Sequence, residues 1–432
     1  MNLQANIRML LPVMTLLCGA VSHAKVTESA WRRDIASGEW EADGNWSQPG
    51  WPEGKDTAAA FYGNSNHNAL ETTVRLPDVT NKINRLHVLH YNPSSFTFDG
   101  RGRTFSVGAL DEGDFKRGLN TDGGSFYPFR IMAESASSSA AMGLYTSGSG
   151  REPVLNWTNA LLHTSSGAFK DVSIEFLSGF FDFDVENSGK WKFSFAGDAL
   201  SKVTMTISNA VVKVNEFNAA LAATNSSITV GEGGVLQFSE KFSYGYNSNF
   251  SYPGTNTLTV KDGGRIVFDN GEEKINSSAF YAGTMQQICR RQEIEITGDG
   301  SSMDLRKLGS AYFQGNSLLS VKNGAELILP GVIGFSYTAN ANIFPLSELL
   351  ISGDDTRVCI STNLATAGAS SGCLTLGAVA DVSNRVVMTG GSLAPLYPGG
   401  YGALSIKIAS APAGDALFDL RGGEVDLWVP NC

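Results

Sequence analysis

The chain has 432 residues, of which 17% are charged and 48 are glycine, and its formal net charge is −10. That composition suits strands and turns better than helices, and the acidic balance argues against nucleic acid or anionic membranes as partners. Beyond residue 24 no segment approaches the roughly 18 consecutive apolar residues of a membrane-spanning helix.

Residues 1–24 read as a secretory signal. Arg8 supplies the positive charge, Met9 to Val21 form a short apolar core, and Ser22-His23-Ala24 fits a small-x-small cleavage site. Cleavage near Ala24 removes Arg8 and no acid, taking the net charge from −10 to −11. Cys18 follows Leu16-Leu17 rather than a small residue, so no lipid anchor is read. The protein is expected to be exported, with no membrane-spanning segment after cleavage.

Four tryptophans follow in one stretch: Trp31, Trp40, Trp46 and Trp51. They are read as a cap packed over the first coil, with sugar stacking as the alternative. His87 and His90 are three apart in a strand-like stretch from Ile83 to His90, so they point to opposite faces and make no metal site. With only His67 and His163 besides, a Ser-His-Asp triad has little support, and no metal or cofactor is expected.

Asn120-Thr121-Asp122-Gly123 and Gly353-Asp354-Asp355 match two boxes of polygalacturonase-type glycosidases, in which acids flank the scissile bond. The boxes lie far apart in the chain, and the Gly-His-Gly and Arg-x-Lys elements are absent. Asn-Thr-Asp-Gly is also a good turn sequence, so the match is read as coincidence. Asp182, Asp184 and Glu186 alternate with Phe181, Phe183 and Val185. They are read as a solvated strand face, with a Ca²⁺ site as the alternative. Arg290-Arg291 and Arg306-Lys307 are the cationic pairs a polysaccharide lyase would need, but no base accompanies them. No P-loop and no dinucleotide-binding glycine motif occurs.

From Ile228 onward one pattern returns seven times: apolar-x-apolar, a glycine, then apolar residues again. Ile228, Val230, Gly233, Leu236 and Phe238 form one copy; Leu258, Val260, Gly263, Ile266 and Phe268 form the next. Later copies centre on Gly298, Gly324, Gly353, Gly390 and Gly422, and a weaker one on Met205 and Ile207 puts Asn209 in the glycine's place. Alternating apolar residues predict strands with one buried face. The glycine supplies positive φ at a corner, where asparagine is the best substitute. The remaining residues of each period have room for a third strand and a loop. Such units bury their apolar faces only by stacking. The expected fold is all-β, a right-handed parallel β-helix. Asp262-Gly263 and Asn323-Gly324 are also hairpin dipeptides, so a β-sandwich of hairpins is the alternative. The gap across the corner varies, as from Val260 to Ile266 and from Ile296 to Met303, and a hairpin register tolerates this poorly.

The stretch from Ser37 to Phe61 contains Gly44-Asn45-Trp46, a Pro-Gly turn, and Gly54-x-Asp56-x-Ala58 leading into Phe61. With the copies Val230 to Phe238 and Val260 to Phe268, it resembles the autotransporter-associated β-strand repeat proteins. The likeness covers the front segment and most of 203–429. It implies a bacterial exported protein with a pectin-lyase-like right-handed β-helix. That family's C-terminal membrane barrel has no counterpart after the last repeat, so the chain is read as secreted, or as a fragment of a longer product.

Four cysteines remain after cleavage: Cys289, Cys359, Cys373 and Cys432. Cys359–Cys373 is the favoured disulfide, with free buried thiols as the alternative. The expected organisation is a signal at 1–24, a cap and first coils at 25–100, an irregular β-rich section at 101–200 and regular repeats at 201–432. The expected function is structural or adhesive binding of polysaccharides or cell-surface components. A pectin-lyase-like polysaccharide lyase or glycoside hydrolase is the alternative.

Overall fold

A computed structural model of the chain describes residues 27–62, 70–77, 81–90, 94–99, 104–107, 142–146, 154–158, 160–164, 167–170, 172–183, 193–195, 203–218, 225–244, 254–271, 276–282, 290–313, 316–335, 346–361, 373–376, 383–396, 405–408 and 415–426. Strands dominate these residues, which contain no α-helix. Every ladder between strands is parallel, and the sheet winds nearly round an axis, as a parallel β-helix does. The hairpin alternative is thereby removed. Asp262 and Gly263 both have positive φ, as do Asn323 and Gly324. Yet the strands on either side of each dipeptide pair with the neighbouring coils, not with each other.

Each coil carries three strand segments. In one coil these are Gly254–Lys261, Arg265–Phe268 and Asn276–Ala282. In the next they are Arg290–Thr297, Ser302–Asp304 and Leu308–Phe313. Like segments stack to make a first, a second and a third face. The repeats meet in register on the first face: Ile228, Leu258, Ile294, Leu319, Leu349, Val386 and Phe418 form one column. Val230, Val260, Ile296, Val321, Ile351, Met388 and Leu420 form the column beside it. The weaker copy joins them, with Met205 on Ile228 and Ile207 on Val230. On the second face Leu236, Ile266, Met303, Leu327, Val358 and Leu393 align despite the unequal gaps before them. The corner from Ile296 to Met303 has room for two left-handed glycines, Gly298 and Gly300.

The same ladders run through the middle of the chain. Val154–Thr158 and Val172–Phe176 lie on the first face between Ser94–Asp99 and Val203–Ile207. Inward residues of all three faces form one continuous core. On the third face Phe217 stacks on Phe242 at 4.5 Å and Phe242 on Phe280 at 5.3 Å. Burying each such side chain stabilises the fold by about 1.5–3 kcal/mol.

The corners hold two surprises. Asn209 is left-handed at φ 50°, as its place in the repeat predicts. In the last two copies, however, the left-handed residue is Gly391 and Gly423, one position after the predicted glycine. A buried polar column also runs along the start of the first face: Asn256, Gln292, Ser317, Ser347 and Asn384. Asn256 Oδ1 accepts the Ser226 backbone N–H at 2.9 Å, and Ser226 Oγ accepts that of Val203 at 3.1 Å.

At the N-terminal end Trp31, Trp40 and Trp46 are buried and Trp51 is partly buried against the core. Trp46 packs edge-on against Trp31 at 5.1 Å and Trp40 at 4.7 Å. Phe61 lies beneath all three. An antiparallel bridge between Trp31 and Trp46 is the exception to the parallel rule. These buried rings are not presented for sugar stacking.

Candidate functional site

A strand on a solenoid face turns alternate side chains outward, so each face displays columns of residues spaced by one coil. The first face is the most uniform. Thr204 and Thr206 flank inward Met205, Ser227 and Thr229 flank Ile228, and Thr257 and Thr259 flank Leu258. The register stacks Thr204, Ser227 and Thr257 in one column and Thr206, Thr229 and Thr259 in the next. All six side chains are half-exposed. None of the six hydroxyls has a hydrogen-bond partner in the protein. Neighbours lie about 4.8 Å apart along the axis and about 6.7 Å apart along a strand. The result is a flat, uncharged grid of groups that both donate and accept hydrogen bonds.

Charge bounds this grid. Glu175 stands in the preceding coil, and Glu293 and Glu295 in the following one. Arg291 binds Glu293 at 2.5 Å, and Lys322 binds Glu295 at 3.0 Å. Lys261, at the end of its strand, lies 3.8 Å from Asp262. The cations described along this edge are thus each beside a carboxylate.

The cationic pairs named from the sequence are committed in the same way. Arg306 binds Asp304 at 2.7 Å and Lys307 binds Asp269 at 3.2 Å. Asp269 is held below the usual carboxylate range, first by the Gly271 backbone N–H and then by Lys307. Arg290 begins its strand, and only its backbone is described. Asp354 and Asp355 are exposed on the corner after Gly353, and neither carboxylate is held by another group of the protein. Asn120 to Gly123, including Asp122, lie outside the described residues, as do His67, Asp184 and Glu186. No cluster of His, Cys, Asp or Glu able to hold a metal occurs among the described residues.

One juxtaposition was invisible in the sequence. On the second face Ser106, His163, Asp182 and Lys213 occupy successive register positions in four coils. Their separation in sequence hides the alignment, which only the coil lengths reveal. His87, in contrast, aligns with Ala60 and Gly143 on the third face.

Cys359 is a free, buried thiol, so the favoured bond to Cys373 is not made. Cys373 starts a strand paired with Val332 and Ser405, while Cys289 and Cys432 lie outside the described residues. Burial pushes the Cys359 thiol above its ordinary range, with Arg357 opposing the shift. The expected result is that Cys359 resists alkylation in the folded protein at pH 8 and reacts in denaturant. Peptide mapping of alkylated protein checks this, and rapid native labelling of Cys359 would contradict it.

No family model, curated protein or solved structure matches this chain. No helix among the described residues is long and apolar enough to cross a membrane.

Proposed function

We propose that this is an exported bacterial protein whose right-handed β-helix holds glycans or other surface components on its lateral faces, without catalysis. The observation that carries the proposal is the hydroxyl grid of the first face. It offers a broad, regular surface of solvated polar groups rather than a cleft built around a reacting bond. Export rests on the signal-like residues 1–24, and the handedness on the rule for parallel crossovers. The repeat motifs, similar to those of autotransporter-associated proteins, support both. The test uses residues 25–432 incubated with neutral and uronic polysaccharides, measuring retention on the polymer and the chain length of the polymer afterwards. Retention without shortening is the expected result. Shortened chains, or new reducing or unsaturated ends, would refute it.

A second reading, a carbohydrate-active enzyme, is favoured by the alignment of Ser106, His163, Asp182 and Lys213. Under that reading polymer cleavage or ester hydrolysis falls at least 100-fold in His163→Ala, within the range attributed to a lost general base. Equal product from both proteins would remove His163 from consideration.

A further inference from the structure

The grid on the first face is specific about its ligand. Resting on the glycan-binding reading above, we infer that Thr204, Thr206, Ser227, Thr229, Thr257 and Thr259 form the binding site for a neutral polysaccharide chain. Three observations converge on that class. First, the site is periodic: the same pair of hydroxyls recurs in three consecutive coils, in register. A ligand that satisfies each coil equally must itself repeat, which a polymer does and a small molecule does not. Second, all six hydroxyls lack a partner in the protein while remaining half-exposed. Each donates one hydrogen bond and accepts others, so the grid matches a surface rich in hydroxyls, whose donors and acceptors alternate. Threonine methyls, five of the six positions, add apolar contacts for sugar C–H groups.

Third, the electrostatics exclude an acidic polymer. A uronate chain crossing the grid meets Glu175 at one side and Glu293 and Glu295 at the other. The cations beside the latter, Arg291 and Lys322, already bind them. Beside the grid no described cation is left over to compensate a row of carboxylates, the exposed Arg385 lying four coils further along the face, and the whole chain carries a net charge of −10. A neutral chain incurs no such repulsion. Each hydroxyl contact is weak, and retention comes from several coils acting at once on one polymer.

The experiment uses residues 25–432 and two variants, Thr206→Val/Thr229→Val/Thr259→Val and Thr229→Lys. Valine removes the hydroxyl, preserves the β-branched shape and keeps strand propensity, so the triple variant retains the sheet. Thr229→Lys blocks the centre of the grid by a single exposed change, in case the triple variant is misfolded by circular dichroism. Retention is measured on amorphous cellulose, insoluble β-1,3-glucan, starch granules and calcium-gelled polygalacturonate, at low and high salt. The expected result is retention on at least one neutral polymer, little salt dependence, and at least tenfold weaker retention of a folded variant. Wild-type retention matched by folded variants would overturn the site while leaving the broader reading in place. Retention only on polygalacturonate would overturn the neutral class. Retention on none of these polymers would overturn both.

Discussion

Replacing Gly264 by alanine is expected to cost about 3 kcal/mol or more, although its backbone is not the left-handed one. A Cβ built at Gly264 lies 2.2 Å from the Val230 carbonyl oxygen and 2.7 Å from its carbonyl carbon. Both belong to the backbone of the preceding coil, which has no rotamer to change. The neighbouring Gly263 is the reverse case. Its φ is +77°, but a Cβ there meets nothing within 4 Å. Gly263→Asn is therefore expected to cost under about 1 kcal/mol, since asparagine tolerates that conformation. Urea unfolding followed by circular dichroism separates the two. Because each coil contacts only its neighbours, Gly264→Ala should add an early transition rather than shift the whole curve. Coincident curves for Gly264→Ala and the wild type would show that the coils do not approach as closely as this.

Trp40→Ala is expected to destabilise the first coils by about 3–5 kcal/mol, the usual cost of removing a buried tryptophan. Trp40 is fully buried, and its indole N–H donates to the Pro52 carbonyl at 3.1 Å. Its ring also packs edge-on against Trp46 at 4.7 Å, so the loss spreads to a second ring, although the residue-40 carbonyl that accepts the Trp46 indole N–H at 2.7 Å remains in alanine. Trp31 completes the group, its indole N–H donating to Ile35 at 2.9 Å. Hydrogen exchange by mass spectrometry is the appropriate probe because the effect is local. Protection should fall across residues 27–99 and persist across 254–361. Trp51→Ala, at a partly buried site, should lose much less. Unchanged protection in Trp40→Ala would mean that these rings do not hold the first coils together. Retention on a neutral glycan should survive the substitution, because the hydroxyl grid lies several coils away.

Much of the architecture was legible from residue order because the repeat carries it twice, in the apolar alternation and in the corner residue. Ile228, Leu258 and Ile294 hold the same place in the repeat, and the register stacks them accordingly. Asn209 was found for the same reason, since a left-handed corner has few permissible residues. The second glycine of the pairs Gly233-Gly234 and Gly263-Gly264 carries no such local signal. Gly234 and Gly264 are required by the approach of the previous coil, at 2.4 and 2.2 Å for a Cβ, and that coil is about 30 residues away. The middle of the chain was opaque because its apolar strands are short and their spacing irregular. Nonetheless the positions of Leu155, Ile174 and Met205 fall in one register column.

The candidate site shows the same division. Thr-x-Thr at 204–206 and 257–259, with Ser-x-Thr at 227–229, is visible in the chain as alternation with apolar residues. That alternation dictates strands, a buried side and a solvated side, because successive side chains on a strand point oppositely. It does not dictate which strands become neighbours. The lengths of the intervening loops and corners decide that, and they are free to vary on the outside of a solenoid. Only the completed winding puts six hydroxyls into one grid, brings the positions of Ser106, His163 and Asp182 into register, and leaves Cys359 unpaired. Local pattern thus determined the strand, the corner and the repeat, all governed by backbone sterics within a few residues. Contacts between coils, governed by register across tens of residues, were decided by the tertiary structure alone.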